Sequence, residues 1–383
     1  QPAELVIGQA DFFGKAATRG GATAANTLSQ PIDSPAVSPD GKLFISDASN
    51  HRVLVWNAIP TENNASADFV LGQPDFTTRT RIIQRGSHPG AGHVTVANGK
   101  LLVTNLDANR VVIYDAIPTD GSAVQSVVVG QVDFDTSVAT CNAATLSAPE
   151  AAILTPDGKL IVSDTAHHRI LIWNNTPTAN GVPADVVIGQ DSFTHCVAND
   201  AAPRDGTVDA DADARTLYYP SGLWSDGTRL VVGDWANNRV LVWNQLPTSN
   251  FQPADLVLGQ ADFDRRVEND GSQDGNPDAE RPAQTLRRPH SIASNGIQLA
   301  VSEDSNHRVV IWNSFPTASF QPADMVLGQS RFDLRASNDT DQDGQANPST
   351  SPASASAMSR PKGLLFHEGK LFVVDSNNSR VLV

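Results

Sequence analysis

Short apolar runs alternate with polar turns along the whole chain. Runs such as KLFIS at 42–46 and RVLVW at 52–56 are rich in Val, Ile, Leu and aromatic residues, and Asp, Asn, Gly or Pro stand between them. This pattern is typical of β-strands joined by tight turns. No window carries the roughly 18 successive apolar residues of a membrane-spanning helix. The pattern therefore predicts an all-β protein without membrane insertion.

The runs form a unit that recurs six times. Two runs flank a polar turn, as in SDASNHRVLVWN at 46–57, a third ends at a Gly-Gln pair, and a fourth follows a proline further on. The pairs are Gly8-Gln9, Gly72-Gln73, Gly130-Gln131, Gly189-Gln190, Gly259-Gln260 and Gly328-Gln329. Six four-stranded units predict a six-bladed β-propeller, because radial repetition protects the edges of the sheets.

The two ends of the chain complete one unit between them. The last unit stops after its third strand, at 380–383, and the strand that it lacks stands at 4–8. We therefore expect the N-terminal strand to complete the last blade and close the ring. Within a single domain, 1–383, the expected blades are approximately 30–74, 88–132, 148–191, 219–261, 288–330, and 360–383 with 1–9.

The polar turn and the strand after it carry a recurring pattern, D-x-x-N-x-R-[VI]-x-[VI], as in Asp47, Asn50, Arg52, Val53 and Val55. This pattern resembles that of the NHL-repeat family of six-bladed propellers, in its bacterial extracytoplasmic type. The resemblance covers the whole chain, although blade two has Asn105 where Asp is usual. It implies that these residues build the blades: Asp and Asn would cap the turn, and Arg would pair with carboxylate or backbone groups. It says little about function.

Charge and cysteine content limit the classes of binding partner and the cellular compartment that we expect for this protein. The net charge of −15 disfavours nucleic acid and anionic membranes, and favours cations or basic partners. The sequence starts at Gln1, and removal of a signal peptide would explain this start. We therefore expect a secreted or periplasmic protein. Cys141 and Cys196 would form one disulfide there, since they lie in successive loops, or they are two unpaired thiols.

The loops that lead from one blade to the next differ in length. They are short at 13–30, 77–88 and 135–148, and long at 194–219, 264–288 and 333–360. The long loops share an Asn-Asp … Asp-Gly motif. Carboxylates at alternate positions followed by Gly suit a hard cation such as Ca²⁺, although Thr350 stands where an EF-hand loop carries Glu. The candidate ligands are Asp339, Asp341, Asp343, Asp270, Asp274, Asp278, Asp205 and Asp209. The alternative is acidic surface loops without an ion.

The mouth of the central channel is the other candidate site. The residues expected there follow the inner-strand prolines: Ile32, Gly90, Glu150, Ser221, His290 and Lys362. Glu150, His290 and Lys362 could converge for acid–base chemistry. The six-bladed propellers that this chain resembles include lactonases and a copper/zinc-dependent lyase. In those enzymes, metals are held at this level by His or by Asn, Asp or Glu. Ile32 and Gly90 supply no such ligand, which argues against an enzyme and leaves a solvated rim as the alternative.

The sequence therefore favours a non-catalytic extracytoplasmic binding or assembly scaffold. Recognition of a protein partner, a ligand or a neighbouring subunit would use the long acidic loops, with Ca²⁺ as the one cofactor expected. Two alternatives stay open: a hydrolase or lyase that uses Glu150 and His290, and a structural subunit of a larger surface assembly.

Overall fold

Six antiparallel sheets of four strands form a ring, which confirms the six-bladed β-propeller expected from the repeat. The structure is a computed structural model that describes residues 1–201, 204–279, 281–348 and 350–383. At five of the six junctions the first strand of one blade contacts the first strand of the next, and at the sixth the Leu364 N–H donates to the Ser34 hydroxyl at the start of blade one. These strands therefore line the central channel.

Each blade runs outwards from the channel through four strands. Blade one has β2 (Ala36–Val37), β3 (Leu43–Asp47), β4 (Arg52–Trp56) and β5 (Phe69–Leu71); blade two has β6 (Ala91–Ala97), β7 (Lys100–Asn105), β8 (Arg110–Tyr114) and β9 (Val127–Val129); blade three has β10 (Ala152–Leu154), β11 (Leu160–Asp164), β12 (Arg169–Trp173) and β13 (Val186–Ile188). Blade four has β14 (Pro220–Ser225), β15 (Leu230–Asp234), β16 (Arg239–Trp243) and β17 (Leu256–Leu258); blade five has β18 (Pro289–Ser294), β19 (Leu299–Glu303), β20 (Arg308–Trp312) and β21 (Met325–Leu327); blade six has β22 (Pro361–His367), β23 (Lys370–Asp375), β24 (Arg380–Leu382) and β1 (Val6–Ile7).

The N-terminal strand closes the ring as predicted. Val6 stands opposite Leu382, and Ile7 opposite Val381, in an antiparallel pair between β1 and β24. The outermost strand of blade six therefore comes from the start of the chain, and the three inner strands come from its end.

Helical structure in the described residues is confined to short 3₁₀ segments. Five of them form the turn between the second and third strands of a blade, and one lies in the first loop. The segments are Ala17–Gly20, Ala48–Asn50, Leu106–Ala108, Thr165–His167, Trp235–Asn237 and Ser376–Asn378. None of the helices in the described part of the chain is long and apolar enough to cross a membrane.

The hydrophobic core lies between the blades. Each of six apolar clusters takes its residues from two neighbouring blades. Trp243, for example, is buried in the cluster between blades three and four, and its indole N–H donates to the Gln252 carbonyl at 3.1 Å. The tryptophan that ends the third strand therefore packs one blade on the next, which is a structural role.

Candidate functional site

The buried arginine of each blade ties the loops to the hairpin turns. In blade four, Arg239 lies 2.8 Å from the Asp234 carboxylate and donates to the carbonyls of Phe263, Asp213 and Thr216. All six such arginines are fully buried: Arg52, Arg110, Arg169, Arg239, Arg308 and Arg380. Such a charge is tolerated because backbone carbonyl groups surround it, together with a carboxylate in every blade except blade two, where Asn105 takes that place.

The glutamine of the Gly-Gln pair has a similar role. Gln260 donates its amide to the carbonyl of Asn238 in the blade-four turn, at 3.1 Å, and to that of Val267 in the loop, at 2.8 Å. The other five glutamines do the same in their blades. The loops between blades therefore lie on the face of the ring that carries the hairpin turns. We call the loops 194–219, 264–288 and 333–360 on this face the long-loop face.

The first strand of blade two, β6, pairs with β7 in a different register from the one that the sequence predicted. Ala91, not Pro89, stands opposite the last residue of the second strand, where the other long inner strands have proline. The residue after it is Gly92, so the placement of Gly90 at this level was wrong. The error arose because Pro89 fills the preceding turn, and Gly90 takes the left-handed conformation there (φ 60°).

The channel mouth brings together three acid–base side chains from alternate blades. The Nδ1 atom of His290 lies 3.6 Å from an Asp33 carboxylate oxygen, and its Nε2 atom lies 3.8 Å from one of Glu150. His290 and Asp33 are 3% and 5% exposed, whereas the Glu150 side chain is 25% exposed. We call Asp33, Glu150 and His290 the channel triad. Solvent reaches it mainly at Glu150.

Sequence reasoning missed Asp33. It named Ile32, the residue after the proline, but Asp33 adopts a left-handed backbone conformation, with φ of 58°, which is uncommon for a residue other than glycine. Pattern reasoning cannot foresee that backbone conformation. Oδ2 of Asp33 and Nδ1 of His290 are buried and have no hydrogen-bond partner among the described residues. A polar ligand or water would satisfy both atoms.

Ser221 and Lys362 play lesser parts at this level. The Ser221 hydroxyl lies 3.1 and 2.9 Å from the carbonyl oxygens of Pro289 and His290 and shares its single proton between them, so it fastens blade four to blade five. Lys362 acts on the triad through its charge. Its backbone carbonyl also accepts a hydrogen bond from Ser302, at 3.0 Å.

Burial sets the protonation of the channel triad. It raises the pKa of Glu150 to about 7, against the opposing effect of the Lys362 charge. Burial and the Glu150 charge raise the pKa of Asp33 well above its usual value. Burial and the Lys362 charge lower the pKa of His290 to about 3. The triad is thus a neutral imidazole between two carboxyl groups, one of which exchanges its proton near neutral pH.

The triad does not fit a single metal ion. His290 presents Nδ1 to Asp33 and Nε2 to Glu150, on different sides of the ring, so one ion cannot be bound by all three residues. The ligand pattern of the metal-dependent propellers is therefore not reproduced by these three side chains.

The repeated Asn-Asp motif of the long loops is built into the fold. Asn269 and the blade residue Asn306 exchange amide hydrogen bonds at 3.2 and 2.9 Å, and Asn199–Asn237 and Asn338–Asn378 form the same pair. The Asp that follows accepts the N–H of the Asp-Gly glycine: Gly206 to Asp200, Gly275 to Asp270, and Gly344 to Asp339. The first half of the motif therefore shapes each loop.

Asp339, Asp341 and Asp343 form the most compact acidic group. One carboxylate oxygen from each lies within 4.8 Å of the others, and no other group of three or more His, Cys, Asp or Glu side chains in the described part of the chain meets this limit. Burial and the neighbouring Asp341 raise the pKa of Asp339. Three carboxylates at this separation repel one another, and a hard cation would relieve that repulsion.

The other candidate ligands form separate hydrogen bonds in the structure. Asp274 accepts from Asn276, Asp278 from Ser272, and Asp205 from Thr207. Asp209 accepts the N–H of Ala201, at 2.9 Å. Ser272 takes the position in the second long loop that Asp341 has in the third, and Arg265 lies 3.9 Å from Asp270. Calcium binding by these aspartates stays a prediction, and among the described residues three carboxylates come together in the third loop only.

The two cysteines are bonded in the structure. Cys141 and Cys196 form a disulfide with a Cα–Cα distance of 6.2 Å. It joins the loop before blade three to the first of the long loops, as their positions in successive loops suggested.

Comparison with known proteins found similar chains among solved structures. No family model and no curated protein matches this chain. Among solved structures, virginiamycin B lyase from Staphylococcus aureus matches with 14% identity over 94% of this chain and 96% of that chain, at a TM-score of 0.44. An auxiliary nutrient binding protein from Bacteroides thetaiotaomicron matches with 10% identity over 92% of this chain and 68% of that chain, at 0.48. The PQQ-bound aldose sugar dehydrogenase from Streptomyces coelicolor matches with 14% identity over 95% and 96%, at 0.45. Each of the three is a protein to which this chain is similar, and the assignment of the fold rests on the six four-stranded sheets described above.

Proposed function

We propose that this protein is a non-catalytic extracytoplasmic binding module. Its long-loop face recognises a protein partner or a neighbouring subunit, and Ca²⁺ stabilises the third long loop. The observation that carries the proposal is the group Asp339, Asp341 and Asp343, whose carboxylates converge on a face already enlarged by three insertions. The net charge of −15 favours a partner with a basic surface.

The disulfide supports the proposed location. A bond between Cys141 and Cys196 forms and persists in oxidising compartments such as the periplasm or the extracellular space. It would also hold the first long loop against the preceding one, and a fixed loop loses less conformational entropy when it binds a partner.

Oxygen ligands in the third loop suit calcium better than a transition metal. Asp339, Asp341 and Asp343 supply carboxylates only, and hard cations prefer such ligands. Gly344 follows with φ of 87°, so the chain can turn sharply around a bound ion. Asp339 is buried and already oriented by the N–H groups of Asp343 and Gly344, at 3.2 and 2.9 Å. The Asp343 carboxylate likewise accepts the N–H of Gln345 at 2.7 Å, so Asp341 is the ligand that would lose most freedom on binding.

Calcium is expected to raise the melting temperature of the wild-type protein, and EGTA to reverse this rise. At a free concentration of about 100 times Kd, one bound ion adds about 2.7 kcal/mol, which shifts the melt by a few degrees. D341S copies Ser272 of the second loop and should lose the shift. D274N, at the matched Asp-Gly position of that loop, should keep it. Isothermal titration calorimetry should give one site. A wild-type protein with neither heat nor shift would refute the calcium site.

The channel triad favours a second candidate function, an acid–base enzyme of the hydrolase or lyase type. Glu150 is the exposed member and, with a pKa of about 7, can both give and take a proton at neutral pH. The near-complete burial of Asp33 and His290 supports the binding module instead, because a substrate could reach only Glu150 without a rearrangement of the mouth.

The raised pKa of Glu150 can be tested through the pH dependence of the free energy of unfolding. Its pKa in the folded protein lies above the usual 4.5, so the folded state keeps a proton that the unfolded chain loses between about pH 4.5 and 7. This makes the free energy of unfolding fall as pH rises through that window. E150Q removes the effect, so its stability relative to wild type should increase by about 1–3 kcal/mol from pH 4.5 to 7.

The measurement is urea unfolding at a series of pH values. His290 titrates in the opposite direction, because its lowered pKa makes stability rise with pH, so E150Q must be compared with wild type at each pH. E62Q, at an exposed site, is the control, and its free energy of unfolding should change with pH as that of wild type does. If the free energy of unfolding of E150Q also changes with pH as that of wild type does, the pKa of Glu150 is not raised and the acid–base function loses its support.

A further inference from the structure

Three arginines line one cavity between the second and third long loops. The cavity has a volume of about 540 Å³ and is lined by Arg281, Arg287 and Arg335, with His307 from the blade-five turn. The turn at 344–346, which follows the acidic group of the third loop, forms part of its wall. We call the space lined by these three arginines the arginine pocket. Such a concentration of positive charge is unexpected on a protein with a net charge of −15.

The charges in the pocket are only partly neutralised by the described residues. Arg287 is paired with Glu268 at 2.7 Å. Asp333 also lines the pocket, but its carboxylate pairs with Arg331 at 3.0 Å. Arg335 is exposed and makes neither a hydrogen bond nor an ion pair with any described residue. The pocket therefore has unpaired positive charge that faces solvent.

Arg281 lines both this pocket and a neighbouring cavity. Its guanidinium donates to the carbonyls of Ala279 and Asp333, while its Nε is buried and has no acceptor among the described residues. Burial, then the charges of Arg335 and Arg287, lower its pKa. A buried donor without an acceptor is costly, and a bound anion would supply the missing acceptor.

We propose that the arginine pocket binds an oxyanion group, a sulfate, phosphate or carboxylate, carried by a small polar ligand. Guanidinium groups bind such anions through paired N–H donors, and Arg281 and Arg335 both have donors to offer. Ser305, Ser337 and Gln345 line the same cavity and would contact the polar remainder of the ligand. The inference does not depend on calcium, since none of its three arginines belongs to the acidic group.

The test is calorimetric titration of inorganic sulfate, inorganic phosphate and glucuronate into the protein, at low ionic strength and in EGTA. We expect saturable binding of at least one anion that weakens as salt is added. Tighter binding of sulfate or phosphate assigns the pocket to a tetrahedral anion, and tighter binding of glucuronate assigns it to a carboxylate-bearing sugar.

R335Q and R281Q should each weaken binding by about tenfold or more. R335Q changes an exposed side chain and so should fold normally, which keeps the test decisive if R281Q does not fold. R215Q removes the same charge from an exposed site in the first long loop and should bind as wild type does. The proposal is overturned if no anion gives saturable heat, or if R215Q weakens binding as much as R335Q.

Discussion

Replacement of Arg239 by methionine is expected to lower the free energy of unfolding by about 3–5 kcal/mol. The arginine is fully buried, and its loss leaves the Asp234 carboxylate, also fully buried, without its counter-charge. The carbonyls of Phe263, Asp213 and Thr216 would lose their donor as well. Because those carbonyls belong to two loops, we expect both loops to loosen.

Blade two provides a matched control for this prediction. Arg110 is as buried as Arg239, but Asn105 takes the place of the aspartate, at 3.2 Å. Without a carboxylate partner, burial lowers the pKa of Arg110 to about 10. R110M leaves a neutral amide behind, so it should cost less than R239M. Equal costs in guanidinium unfolding would show that the stranded carboxylate is not the source of the loss.

The pH dependence of R239M adds a second check. Burial already raises the pKa of Asp234 in the intact blade, and Arg239 opposes that rise. Without the arginine the pKa rises further, and a group with a raised pKa loses stability as pH increases through it. The deficit of R239M relative to wild type should therefore shrink as the solution is made more acidic. A deficit that grows in acid would contradict this explanation.

The fold could be predicted from the sequence because the repeat encodes it many times over. The Arg and Gln positions recur in all six units and the Asp and Trp positions in four each. Arg and Gln make the same kind of contact in every blade, as Arg239 and Gln260 show. One departure, such as Asn105, does not hide the pattern. The closing strand could also be predicted, because the last unit lacks one strand and the first residues supply its sequence.

The candidate sites could be predicted only in part, because they depend on single residues in non-repeating backbone. Glu150 and His290 were foreseen from their positions after prolines, but Asp33 required a left-handed residue that no pattern signals. The register of the first strand of blade two was predicted wrongly because Pro89 lies two residues before Ala91, which takes the position that proline has in the other long inner strands. Arg281 and Arg335 stand in different loops, and only their packing around one cavity brings them together.

Loss of the disulfide is expected to lower the free energy of unfolding by about 2–4 kcal/mol. Cys141 and Cys196 are 55 residues apart, and the chain between them includes every strand of blade three. The bond therefore restricts a whole blade in the unfolded state, and the chain-entropy relation gives about 4 kcal/mol for a loop of this length. The double variant C141S/C196S avoids a free thiol.

Denaturant unfolding is measured for wild type and C141S/C196S, each with and without reductant. The comparison separates the stabilisation by the disulfide bond from the effect of replacing the two side chains. Reductant should lower the midpoint of wild type to that of the variant and leave the variant unchanged. Fluorescence and far-UV circular dichroism must give the same midpoint, because a six-bladed ring can lose one blade first. If blade three and its loops unfold early only when the bond is absent, the disulfide fastens the first long loop to the ring. If wild type and variant coincide under oxidising conditions, the bond does not contribute to stability, and hydrogen bonds such as those of Arg169 to its carbonyl partners are enough to hold the loops.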